Sequence, residues 1–154
     1  MTDASTSATA APATDGPKGI GGWLILPTIG MVISPFVMAF WTYQTATALS
    51  GALSTGLNAF IALEALFNFS LMVAWIVAIV QLFKHKRTFP KLFVTILVVT
   101  LIGTVLDLVV AASVFNMSVD AGDIRGLARS VIGLAIWGPY MYVSKRVKNT
   151  FVVD

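Results

Sequence analysis

The sequence predicts an all-α membrane protein: a four-transmembrane-helix bundle behind a disordered N-terminal tail, with both ends in the cytoplasm. Three observations carry that prediction. Only 11% of the 154 residues are charged and 57% are hydrophobic, whereas a soluble domain carries about 25% charged residues. Four apolar stretches come close to the roughly 20 residues that a helix needs to cross about 30 Å of hydrocarbon. They run from about Trp23 to Trp41, Phe60 to Phe83, Leu92 to Phe115 and Leu127 to Val143. The basic residues, finally, are gathered into alternate connecting segments. The four stretches fill over half the chain, which leaves no room for a soluble domain.

The chain opens with MTDASTSATAAPATDGPK, residues 1–18, rich in Ser, Thr, Ala and Pro and without a large apolar residue. That composition cannot bury enough surface to fold, so a disordered tail is expected there and the membrane domain is residues 19–152. A cleaved signal peptide is the competing account of the first span, and Ala46-Thr47-Ala48 resembles a cleavage site. The apolar run before it is about 19 residues, against about 7 to 15 for a signal core, and only Lys18 precedes it, so retention is expected.

Span one contains Pro27 and Pro35, which cannot donate the helical N–H bond and free the carbonyls of Trp23 and Met31; a bend is predicted. Gly30 and Ser34 form a small-xxx-small pair that lets another helix approach. Span two carries Glu64 and Asn68 on one face, which continues through Leu71 and Trp75. Span three carries Thr100, Gly103, Thr104, Asp107 and Ala111 at helical spacing on an otherwise Val, Leu and Ile helix. Lipid gives no reason to keep Thr, Asp and Gly in register, so this stripe is expected at a helix–helix interface. Span four, the shortest, ends in Trp137-Gly138-Pro139-Tyr140, where Pro139 frees the carbonyl of Ala135.

Eight of the ten Lys and Arg residues fall on the side of the N-terminus: Lys18, then Lys84, Lys86, Arg87 and Lys91, then Lys145, Arg146 and Lys148. Arg125 and Arg129 fall on the other. The positive-inside rule therefore places the KHKRTFPK loop and the basic tail in the cytoplasm and the uncharged Tyr43 to Ala59 loop outside. Trp23, Trp137, Tyr140, Lys145, Arg146 and Lys148 are expected as interfacial anchors, the aromatics at the boundary and the cations against phosphate headgroups.

At 1.5 Å rise per residue, Glu64 and Arg129 sit about a turn inside the outer boundary, with Asn68 and Asp107 nearer the middle. A charge at mid-span costs roughly 3 kcal/mol on insertion scales, so such groups seek one another or water. A cluster of Glu64, Asn68, Asp107, Arg125 and Arg129 is expected in the outer half of the bundle. It has two readings: charges paired to fix the register of spans two, three and four, or a carboxylate that serves a proton or cation pathway.

Three segments together resemble a bacterial family known as domain of unknown function 2569: Gly19-Ile20-Gly21-Gly22-Trp23-Leu24, Phe89-Pro90-Lys91, and the closing WGPYMYVSKRVKNTF from Trp137 to Phe151. The resemblance spans about residues 19 to 152 and implies a small multi-pass protein of the bacterial inner membrane. It implies no reaction, substrate or catalytic residue.

Function classes narrow accordingly. The chain has no cysteine and one histidine, His85, so disulfides, thiolate chemistry and a histidine metal cluster within one chain are excluded. No cofactor is expected. Nucleic-acid binding would need a basic surface with accessible aromatics or a recognisable module, and neither is present. Intramembrane hydrolysis would have only Glu64 and Asp107 to work with. The expectation is a non-enzymatic component that packs with the bilayer, with copies of itself or with a larger membrane protein. The alternative is a small oligomeric proton- or cation-linked transporter or channel using Glu64 and Asp107; the chain has no internal repeat marking two transporter halves.

Overall fold

The computed structural model describes residue 16, residues 18–49, residue 51 and residues 53–153. The tail expected over residues 1–18 falls almost wholly outside the described residues. After one 3-10 turn (Gly22–Leu24) come four long helices, α1 (Ile25–Thr47), α2 (Thr55–Phe83), α3 (Phe89–Val114) and α4 (Ala121–Val143), then a short α5 (Lys145–Thr150). Among the described residues the only other regular feature is a single bridge between Lys86 and Val153. The long helices run up and down, each against the next in chain order. Both described chain ends and the α2–α3 loop therefore share one end of the molecule, called the basic end below.

Gly22–Thr47, Thr55–Phe83 and Phe89–Val114 are long and apolar enough to cross a membrane. Their outward faces are apolar too: Phe36 is 74% exposed, Phe69 48% and Ile102 54%, a surface suited to lipid and not to water. Helix α4 has 23 residues, as many as α1, but Arg125, Arg129 and the closing Trp-Gly-Pro-Tyr dilute its hydropathy.

Three helix ends lie five or six residues from the ends of the apolar runs that predicted them, each for a local reason. Helix α1 continues past Trp41 because Thr42 to Thr47, though polar, include no Gly or Pro to break the ladder. Helix α2 starts at Thr55, where the Ser54 side chain accepts from the Leu57 N–H at 3.2 Å. The expected Tyr43 to Ala59 loop thereby loses Tyr43 to Thr47 to α1 and Thr55 to Ala59 to α2. Helix α4 starts at Ala121 because Asp120 accepts from the N–H groups of Gly122 and Asp123 while Asp123 accepts from the Asp120 N–H, a capping box. Pro35 and Pro139 lie inside unbroken α1 and α4. Pro90 sits in the first turn of α3, where a missing N–H costs nothing.

The buried side chains gather at the basic end. Leu71, Trp75, Ala78 and Leu82 of α2 meet Phe89, Phe93 and Ile96 of α3, Leu24 and Met31 from the start of the chain, Met141 of α4, Val147 of α5 and Phe151 beyond it. Phe93 packs edge-on to Trp75 at 5.7 Å between ring centroids, and Phe89 lies 4.5 Å from Phe151.

The tail is also tied down by hydrogen bonds. Ser144, with extended backbone, ends α4 and caps α5. The Gly19 N–H donates to Thr150 Oγ1 at 2.9 Å. The Val153 N–H donates to the His85 carbonyl at 3.1 Å, and the Arg87 N–H to the Val153 carbonyl at 2.8 Å. Gly19 (φ +85°) and Gly22 (φ +56°) adopt the left-handed conformation that glycine tolerates, and a side chain at Gly21 would collide with the Arg146 guanidinium, 2.7 Å from a Cβ there. The segments around Gly19–Leu24, Phe89–Lys91 and Trp137–Phe151 thus form one structural unit.

Candidate functional site

Toward the far end, α2 and α3 separate around a cavity of about 520 Å³ lined by Phe60, Leu63, Glu64, Phe67, Asn68, Gly103, Thr104, Leu106, Asp107 and Val110. Helical spacing explains the lining: on α2 residues 60, 64, 67 and 68 share a face, and on α3 so do 103, 107 and 110. Two aromatic contacts bound it. Phe60 meets Phe115 at 5.1 Å toward the far end. Phe67 lies over Gly103 so closely that a methyl there would strike its ring, and it also packs against the core.

Glu64 is nine residues from the start of α2 and Asp107 seven from the end of α3, so at about 1.5 Å per residue both lie roughly 10 to 14 Å from the same end. Both are half-buried, as is Asn68. Each carboxylate feels another acid as its principal charged neighbour: Asp107 for Glu64, and Asp123 for Asp107. Glu64 Oε1 accepts from the Thr45 hydroxyl of α1 at 3.4 Å, a long bond.

The structure brings Glu64, Asn68 and Asp107 together on this cavity. Arg125 and Arg129 do not line it; both are exposed on α4. Of the expected anchors, Trp23 is 71% exposed beside α1. Trp137 and Tyr140 are half-buried and meet edge-on at 5.8 Å. Lys145 and Lys148 are exposed, while Arg146 is half-buried and lies along Gly21 and Gly22.

Sequence reasoning missed Thr45, because the residues after Trp41 read as a loop, and it missed Phe60 and Phe67. The signal for the aromatics was present: Phe60 and Phe67 lie four before and three after Glu64, on its face. Gly30 makes no close approach to another helix among the described residues. A Cβ at Gly30 would meet nothing within 4 Å, and Ser34 donates back to the Gly30 carbonyl.

The Escherichia coli (strain K12) protein named Inner membrane protein YdgK is similar to this chain, 30% identical over 152 residues that cover 90% of this chain and 97% of that protein. No solved structure matches. With its apolar helices of spanning length, that likeness makes the chain an inner-membrane protein. Residues 17–152 match the family described as Protein of unknown function (DUF2569), and the chain belongs to that family.

Proposed function

We propose that this chain is a four-span protein of the inner membrane with both ends in the cytoplasm, that it performs no covalent chemistry, and that Glu64 and Asp107 take up a proton or a small cation in the cavity between α2 and α3. The observation that carries the reading is the cavity itself: two carboxylates on one wall set, with no Lys or Arg among the lining residues. Carboxylates held at that depth without a basic partner need a proton, a cation or water to be tolerable in hydrocarbon. Four helices alone enclose no continuous route, so a homo-oligomer completes the path.

The fourth span is supported by length. Helix α4 has 23 residues, about 34 Å at 1.5 Å each, and lies along α3. The orientation is supported by the eight basic residues at the basic end. Lys84→Cys and Lys148→Cys should resist impermeant thiol reagents in intact cells and react after permeabilisation; labelling from outside would reverse the topology.

The functional test is proton and cation flux in vesicles reconstituted with the purified protein. Glu64→Gln and Asp107→Asn are expected to abolish flux while accumulation and oligomeric state stay unchanged. Unchanged flux in both variants would end the proposal.

One observation favours a second reading, an accessory component acting through helix packing. Gly30, Gly126 and Gly133 all have open space where a Cβ would stand, so small-residue surface on α1 and α4 is available to a neighbouring helix. Gentle purification from native membranes at native abundance separates the readings: a stoichiometric larger partner supports the accessory role, and recovery of the chain alone as a defined oligomer supports the cation pathway.

A further inference from the structure

The cavity between α2 and α3 is larger and more apolar than a proton or a bare metal ion requires. An inorganic ion fills on the order of one water's share, ~30 Å³, of its 520 Å³. Much of the remainder is bounded by hydrocarbon, from Phe60, Leu63, Phe67, Leu106 and Val110. Among the described residues no three of His, Asp and Glu gather in a way that could hold a metal ion, and a hard divalent cation asks for about six or more oxygen ligands. Several hundred Å³ with mostly apolar walls and a few convergent polar groups is the form of a site for an organic ligand.

The polar groups select its charge. Glu64 and Asp107 line the cavity with no Lys or Arg beside them. The Thr104 hydroxyl donates to the Thr100 carbonyl at 2.9 Å, so it meets a ligand only as an acceptor. Three side chains from two helices therefore call for a ligand that donates, and two of them are acids. The placement of the aromatics adds to this. Phe60 and Phe67 stand four residues before and three after Glu64, about 6 and 4.5 Å away along the helix axis. A cation paired with Glu64 is thus within reach of a ring on either side, and phenyl rings attract cations within about 6 Å of their centroids. An ammonium carried on an apolar body uses the acids, the rings and the aliphatic walls together; a sodium ion or a proton uses the acids alone.

We propose that the α2–α3 cavity binds a lipophilic organic ammonium, its nitrogen between Glu64 and Asp107 and its aromatic or branched aliphatic body against Phe60, Phe67 and Val110. The proposal rests on the reading that these two carboxylates receive a cation, and it names the class of that cation.

The test uses the full-length protein in phosphatidylcholine nanodiscs and equilibrium dialysis, with binding to empty nanodiscs subtracted. The probe is phenylbutylammonium, compared with phenylbutanol, its uncharged counterpart, and with methylammonium, which has the charge without the body. The wild-type protein is expected to bind the probe saturably and about thirtyfold or more tighter than either comparison compound. Glu64→Gln and Asp107→Asn should each weaken it by a similar factor. Phe60→Leu, which keeps an apolar wall without a ring, should weaken it about threefold to tenfold. Equal affinity for the probe and the alcohol overturns the proposal, as does equal affinity for the probe and methylammonium. Unchanged affinity in both carboxylate variants overturns it, and so does displacement of the probe by sodium at comparable concentration. Proton flux in vesicles holding the same protein separates this result from the reading beneath it. Flux that is lost in Glu64→Gln, without selective probe binding, overturns the ammonium site and leaves the proton pathway standing; selective binding without flux upholds the site and removes the pathway.

Discussion

The two ends of this molecule are built on opposite terms. At the basic end Leu24, Ala78, Leu82 and Phe89 are fully buried, rings stack, and the buried Thr150 hydroxyl both accepts from Gly19 and donates to the Arg146 carbonyl at 2.7 Å. At the far end helices α2 and α3 part around a 520 Å³ cavity that holds two acids, and the buried Thr42 hydroxyl has no partner among the described residues. Four other hydroxyls of α1 and α3 show what Thr42 forgoes: Thr28, Ser34, Thr100 and Thr104 all donate to the carbonyl four residues back. An unmatched buried hydroxyl costs about 1–3 kcal/mol. The contrast teaches that the fold is held from one end, which leaves the other free to carry groups that packing alone would reject.

If that division is right, the largest loss of stability should come from the tail, which in a membrane protein of this size would ordinarily be dispensable. Phe151→Ala removes a ring that is 5% exposed and stacked on Phe89, and about 3–4 kcal/mol of destabilisation is expected. Equilibrium unfolding in mixed detergent measures it; a loss below about 1 kcal/mol would mean that the tail decorates the core without holding it. Thr150→Val comes next. It keeps the shape but leaves the Gly19 N–H without its acceptor, so about 1–2 kcal/mol is expected by the same measurement.

How much of this was visible beforehand follows the physics of each signal. Hydrophobic run length found the long helices, and the i, i+4 spacing put Glu64 and Asn68 on the face that continues through Leu71 and Trp75. Helix ends were less legible, because hydrogen bonding does not stop where hydropathy does: Thr42 to Thr47 are polar and still helical. The capping pattern Asp120-Ala-Gly-Asp123 was present and marks the true start of α4. The far cavity was half legible. Matching depths brought Glu64 and Asp107 into one expectation, but where Arg125 and Arg129 point depends on the rotation of α4 about its axis, which one sequence does not reveal. The tail was least legible. The Gly19–Thr150 and His85–Val153 bonds join residues far apart in the chain and take their donors from backbone N–H groups, which leave no trace in residue type.

A smaller effect sharpens the comparison from the far end. A methyl at Gly103 collides with the tip of the Phe67 ring, and in a close-packed core such overpacking costs about 1–3 kcal/mol. Here the ring borders open volume and can swing into it, so Gly103→Ala should cost no more than about 1 kcal/mol while narrowing the cavity. Unfolding measurements on this variant report how loosely α2 and α3 meet; a cost near the top of the range would show that Phe67 is wedged and the cavity rigid.

The smallest effect is expected from the most conspicuous residue. Replacing a buried charge is ordinarily costly when it breaks a pair, but Glu64 has an acid as its principal charged neighbour and a single long bond from Thr45. Glu64→Gln preserves the shape and an acceptor for Thr45 while removing a like-charge repulsion. Its stability should therefore stay within about 0.5 kcal/mol of the parent, or rise. Paired with loss of flux, that outcome would mark Glu64 as a group retained for what it does and not for what it holds. A destabilisation of about 3 kcal/mol would instead reveal a broken buried ion pair. Since Arg125 and Arg129 are exposed and outside the cavity lining in the single chain, such a partner would have to come from a neighbouring subunit, and the far end would then be as tightly built as the basic end once the assembly is complete.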